Sequence, residues 1–239
     1  MTNHLIVFAY ILAMISQIII FPCHAKAQEL FYDIYSNEKK TGSITVKLSE
    51  INSNETNLLK VETHTKIQVK ALFISLFSLD SQEEGLINDE GTYSYSSVTI
   101  IDGDTIRVTG KLKDAVFKLT VTEGEKKQNV SIKRSNYDFT SLDSPELFLE
   151  ASGKPKIFKI LDFDNLAVVK QNLKWIRNEE LNILDDTVDC KVIEFENPGE
   201  KGTRWITQDQ YGLLIKEEGE DEDGKYTVKI SKFQNRIGN

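Results

Sequence analysis

The chain is poor in the residues that most often carry chemistry: two cysteines, Cys23 and Cys190, and three histidines, His4, His24 and His64, in 239 residues. Much of that small stock sits in what reads as a removable leader. Leu5 to Phe21 is apolar apart from Ser16 and Gln17, and Ala25-Lys26-Ala27 is a small-x-small processing site, so residues 1–27 read as a signal peptide cleaved before Gln28. Met1-Thr2-Asn3-His4 has no Lys or Arg, which leaves an uncleaved anchor as the alternative. Pro22 directly before Cys23 is a poor lipid-attachment signal. Processing leaves Cys190 alone, so no intrachain disulfide can close, and the domain must be held by apolar burial with Cys190 as a small buried strand residue. It also leaves a single histidine, His64, on the polar face of a strand. That argues against a Ser-His or Cys-His nucleophile and against a Cys/His metal cluster, and His64 reads as a solvated strand residue.

Other absences point the same way. There is no Gly-rich phosphate loop, no nucleophile elbow and no basic stripe with interleaved aromatics. Nothing implies a cofactor or a metal, and no enzyme activity is expected. Loss of Lys26 leaves 28 basic against 37 acidic residues, a net charge of −9. Such a surface repels phosphate backbones and argues against a nucleic-acid partner. No linker, composition shift or repeat marks a boundary, so residues 28–239 read as one β-rich exported domain.

What is present is alternation with a period of two. Leu59, Val61, Thr63, Thr65, Ile67 and Val69 alternate with Lys60, Glu62, His64, Lys66 and Gln68, the pattern of a strand with one wet face. From Ala71 to Leu79 the sequence is apolar at odd and even positions alike, so both faces are expected to need cover. About a dozen strands follow one another, separated by turn signals such as Asp102-Gly103, Asn197-Pro198-Gly199-Glu200 and Asp209-Gln210-Tyr211-Gly212. Asp80 to Gly91 reads as a strand end plus turn. Asp143 or Ser144 as a cap before Pro145, with Gly153 near the end, predicts one short helix near 144–152. The expected fold is all-β: a single large curved antiparallel sheet, open or nearly closed as a barrel.

Candidate chemistry is thin. The acidic run Glu217, Glu218, Glu220, Asp221, Glu222 and Asp223 before Gly224 fails the EF-hand pattern at both ends, leaving a weak surface cation site or a solvated hairpin tip. Glu83, Glu84, Asp89 and Glu90 supply carboxylates for a hydrolase only in an unspecified geometry. The apolar inventory says more. Phe73, Ile74, Leu76 and Phe77 in the two-faced stretch, Leu147 and Phe148 in the helical segment, and Trp175 and Trp205 in later strands are the expected lining of a site for a lipid or other apolar or amphipathic molecule. The alternative is that these residues fill a core and the protein works as an interaction or structural module.

Several stretches carry a resemblance: Phe31-Tyr32-Asp33-Ile34-Tyr35 with Gly42, Glu83-Glu84 to Ser97 running into Asp102-Gly103, Leu147 to Gly153 followed by Lys154-Pro155, and Thr203-Arg204-Trp205-Ile206-Thr207 leading to Tyr211-Gly212-Leu213. In these the chain resembles uncharacterised exported bacterial families of domain-of-unknown-function proteins, whose β-sheets are similar to those of periplasmic lipoprotein carriers. The resemblance implies a curved, nearly closed antiparallel sheet in the periplasm or cell envelope. It implies no catalytic residues.

Overall fold

The structure, a computed structural model, describes residues 28–53, 56–71, 74–151, 153–184, 186–208 and 212–235; the expected leader lies outside them. The described residues form fifteen strands: β1 (Gln28–Ser36), β2 (Lys39–Ser53), β3 (Thr56–Ala71), β4 (Ile74–Asn88), β5 (Gly91–Ile101), β6 (Asp104–Lys113), β7 (Val116–Glu123), β8 (Lys126–Lys133), β9 (Phe139–Thr140), β10 (Lys156–Asp162), β11 (Ala167–Ile183), β12 (Asp186–Asn197), β13 (Glu200–Thr207), β14 (Leu214–Asp221) and β15 (Gly224–Asn235). They belong to one sheet in the order β8-β7-β6-β5-β4-β3-β2-β1-β15-β14-β13-β12-β11-β10-β9, whose two end strands are not paired with each other. The expected all-β open sheet is therefore found. The short β9 runs parallel to β10, whereas successive strands from β2 to β8 and from β10 to β15 pair antiparallel.

Two expectations need correction. Asp80 to Asn88 is not a strand end but the second half of β4, with Ser81, Glu83, Gly85 and Ile87 buried and the residues between them facing outward. The alternation was hidden because the buried side of this half is mostly small or polar. The segment 144–152 holds a 3-10 turn, Pro145–Phe148, and not a longer helix. Ser144 makes no side-chain cap, and Leu149 is already extended at φ −83° and ψ 135°.

The chain divides into two compact units. The amino-terminal unit comprises Lys40–Ser135 with the described parts of Pro22–Ile34 and Lys232–Asn239. Its strands β2 to β8 form a meander of successive antiparallel pairs. One face buries Tyr32, Ile34, Ile44, Val46, Leu48, Val61, Phe117 and Leu119, each at 2% exposure or less. Side chains of this size contribute roughly 1.5–3 kcal/mol each when fully buried. Between β5 and β6, Asp102 and Gly103 take φ values of 51° and 99°, the mirror-image turn that suits the twist of a two-residue hairpin. The Asp102 carboxylate accepts a hydrogen bond from the Ser78 backbone N–H at 2.8 Å, tying the turn to β4.

The carboxy-terminal unit comprises Asn136–Ser231 with Tyr35–Lys39. Its buried residues include Leu142, Ile160, Leu161, Phe163, Leu173, Ile193 and Phe195, and β10 is covered on both faces, since the neighbours Ile160 and Leu161 are both buried. Cys190 is fully buried, as expected of a structural thiol.

Candidate functional site

Opposite residues in antiparallel strands share a face, so one row can be followed across β12, β13, β14 and β15: Phe195 pairs with Gly202, Gly202 with Gly219, and Gly219 with Tyr226. The two central positions carry no side chain, and the two aromatic rings lie over them. A β-carbon at Gly219 would meet the Tyr226 ring, and one at Gly202 would meet the Glu218 carbonyl oxygen and the Phe195 ring. The glycines are thus needed for space, not for an unusual φ.

Two residues along on the same face lie Arg204 and Glu217, which also pair directly. Arg204 Nε donates to Glu217 Oε2 at 2.6 Å, and Nη1 donates to Glu146 Oε1 at 2.6 Å. Glu146 comes from the 3-10 turn, which this bond fastens to the sheet. The guanidinium lies over the Phe195 ring, 4.3 Å from its centroid. Tyr226 lies flat over Gly219, and its hydroxyl reaches Glu217 Oε1 at 2.9 Å and also the carboxyl of Glu200. Arg204, Glu146, Glu217, Glu200 and Tyr226 are each 5% exposed or less.

This network holds three carboxyl groups against one guanidinium. Burial, reinforced by the charge of Glu217, pushes Glu200 up to about 8. Burial also raises Glu146, with Arg204 opposing it. For Arg204 burial works against the charged form, but Glu217 and Glu146 outweigh it and the group is held protonated. The Tyr226 phenol has one proton and two carboxyl neighbours, so one neighbour must itself supply a proton. Glu200 does so at neutral pH: its carboxyl donates to the Tyr226 oxygen, Tyr226 donates to Glu217, and Glu217 and Glu146 both pair with Arg204.

A smaller version stands in the amino-terminal unit. Glu83-Glu84-Gly85 on β4 repeats Glu217-Glu218-Gly219 on β14. Gly85 pairs with Tyr95 as Gly219 pairs with Tyr226, and Tyr95 donates to Glu83 Oε2 at 3.2 Å. The sequence reading missed both sites because it counted Glu217 in an acidic surface run and Glu83 among loose carboxylates. The available signal was the repeated Glu-Glu-Gly followed by a turn and a tyrosine.

The described members of the expected ligand lining fall in both units. In the amino-terminal unit Phe77 is buried and Leu76 is 62% exposed, so at these two described positions β4 has one covered face. Phe73 and the side chain of Ile74 lie outside the described residues. In the carboxy-terminal unit Leu147 packs over Gly212, Phe148 is half exposed against Phe139, Trp175 is half-buried under Lys191, and Trp205 is buried on the face opposite Arg204. Glu83 and Glu84 point to opposite faces of β4, Glu84 outward to Lys60 at 2.9 Å, so they do not face one another across a cleft. His64 is half exposed and bonded to Asp80 at 2.8 Å, on the wall of an open polar groove of about 540 Å³. Among the described residues no group of three or more His, Cys, Asp or Glu side chains is arranged to hold a metal ion, and no helix is long and apolar enough to cross a membrane.

Fold and site together define an open-sheet β protein with sealed polar networks on its buried face. The chain belongs to the family described as Domain of unknown function (DUF6134), matched over residues 32–231. No curated protein matches it in sequence. Among solved structures it is similar to a β-barrel-like protein of the domain of unknown function DUF1849 from Brucella abortus, at 13% identity and a TM-score of 0.65, covering 90% of this chain and 100% of the other. That likeness shows the fold alone. Two further structures align at TM-scores of 0.35, too low to carry an argument. One is a protein described as exported with a YmcC-like fold from Bacteroides fragilis, at 7% identity over 91% of this chain and 99% of the other. The second is a protein described as a lipoprotein from Parabacteroides distasonis, at 12% identity over 91% and 99%.

Gly219→Ala tests the aromatic row. The added methyl must displace the Tyr226 ring and with it both hydroxyl contacts, and a loss of about 2–4 kcal/mol is expected by chemical denaturation. A companion Gly219→Ala/Tyr226→Ala chain should lose little beyond Tyr226→Ala alone, because the clash is then gone. Full additivity of the two would sink this account.

Proposed function

We propose that the chain is an exported, non-enzymatic interaction module of the cell envelope. The observation that carries this reading is the sealed network of Arg204, Glu146, Glu217, Tyr226 and Glu200 on the buried face of the carboxy-terminal unit. This buried, ion-paired network occupies space that a bound acyl chain would need, and it presents charged groups to that space. Their burial also denies an aqueous substrate access, so the perturbed carboxyl groups are read as structural. The leader pattern in residues 1–27 supports export. The outer faces are then left to do the work.

Native mass spectrometry of protein purified from envelope fractions tests the filled interior. The expected spectrum is the mass of the bare polypeptide. A stoichiometric lipid adduct that survives gentle desolvation and is identified after solvent extraction would overturn the reading in favour of an amphipathic-ligand carrier.

A further inference from the structure

The outer face of β6, β7 and β8 gathers cations that the linear sequence disperses. In β6, Arg107 pairs with Val98 of β5, which pairs with Gln82 and through it with His64, so the odd positions of β6 lie on the outward, polar side of the amino-terminal unit. Arg107, Lys111 and Lys113 share that side, joined by Lys118 on β7 and by Lys127 and Lys133 on β8. The carboxylates of these strands are elsewhere: Asp104 and Glu123 take the opposite parity, and Asp114 and Glu125 sit in the turns. Residues 104–134 hold eight basic and four acidic side chains in a chain of net charge −8.

The neighbouring strands show the ordinary arrangement. Lys47 meets Glu29 at 3.6 Å, Lys60 meets Glu84 at 2.9 Å, and Lys66 meets Asp80 at 3.6 Å. Among the described residues none of the six cations on β6–β8 has such a partner; Lys111 lies over the Tyr93 ring instead, at 4.6 Å. Lys111 also stands directly opposite Lys118, a like-charge pair that costs stability. Lysines on a terminal strand guard a sheet edge against pairing, which accounts for Lys127 and Lys133 on β8. It does not account for charges one and two strands in from the edge.

We infer that this face docks on an anionic lipid surface. Five of the six groups are lysines, compact point charges without the planar fork that grips a single phosphate. Threonines, Asn129 and Ser131 separate them on exposed strands. Arg107 to Lys113 spans about 20 Å at roughly 3.3 Å per residue, and three strands span about 10 Å. A spread array of that kind fits many headgroups at once. The inference rests on the module reading only in placing the partner outside the protein.

The test is co-sedimentation of the purified full chain with vesicles of phosphatidylglycerol and phosphatidylcholine, against phosphatidylcholine alone. Binding is expected only with phosphatidylglycerol, and loss of binding between about 50 mM and about 1 M NaCl as the screening length shrinks. Lys111→Gln/Lys113→Gln/Lys118→Gln should weaken binding about tenfold or more, while Lys47→Gln/Lys60→Gln/Lys66→Gln leaves it unchanged. Equal binding to both vesicles would overturn the inference, as would a triple variant on β6–β7 that binds like the parent. So would capture by a soluble acidic polysaccharide without vesicle binding. The spectra of the interior report on a different region, so the two readings can fail separately.

Discussion

Arg204→Met is expected to lower the stability of the carboxy-terminal unit by about 3–5 kcal/mol, the cost of leaving a buried ion pair with one member. Here two carboxyl groups lose their counter-charge, because Glu217 and Glu146 each receive a guanidinium bond of 2.6 Å and both are nearly sealed from water. Glu217 also keeps the proton of Tyr226, which cannot neutralise it. The measurement is straightforward because both tryptophans, Trp175 and Trp205, belong to this unit, so intrinsic tryptophan fluorescence in urea follows it alone. A midpoint lower by about 1 M or more is expected. The companion Arg204→Met/Glu146→Leu/Glu217→Leu removes all three charges, and should recover most of the loss, since apolar replacements of buried ionic groups are often neutral or better. If the single and triple variants unfold at the same midpoint, the damage comes from lost packing on Phe195 and not from unpaired charge.

The sheet was legible in the sequence because strands with one wet face announce themselves by alternation, and Leu59 to Val69 on β3 does so without interruption. The same rule failed on β4, where Ser81, Glu83 and Gly85 face inward and break the apolar signal. Their burial is explained by Tyr95, which fills the space over Gly85 and bonds Glu83, a partner twelve residues away. The buried network of the carboxy-terminal unit was illegible for a related reason. Glu217 stands first in a run of acids, and composition assigns all of them to solvent, although the period of two sends Glu217 inward with Gly219 while Glu218 goes outward to Lys216. The basic face of β6–β8 escaped because its members are scattered over residues 107–133 and only strand pairing places them together. In each case the missing information was register, which links residues far apart in the chain.

Stability is expected to fall as pH rises from about 4.5 to about 8, and Glu200→Gln is expected to flatten that fall. The carboxyl of Glu200 is pushed up to about 8 in the folded state, by burial and by Glu217, so between the two values the folded protein holds a proton that the unfolded chain has released. Its contribution is complete below about 4.5, declines by up to about 1.4 kcal/mol per pH unit, and is gone above about 8. The span is several kcal/mol at most. Glu146 and Asp162, both raised chiefly by burial, act in the same direction, so the total slope does not identify Glu200 by itself. The difference between parent and variant does. In Glu200→Gln the side-chain amide donates to the Tyr226 oxygen at every pH, preserving the relay from position 200 through Tyr226 to Glu217 without a titrating proton. The variant should therefore match the parent near pH 5 and exceed it near pH 9. Parallel stability curves across that range would show that Glu200 does not titrate there in the folded protein, and would overturn the relay through Tyr226.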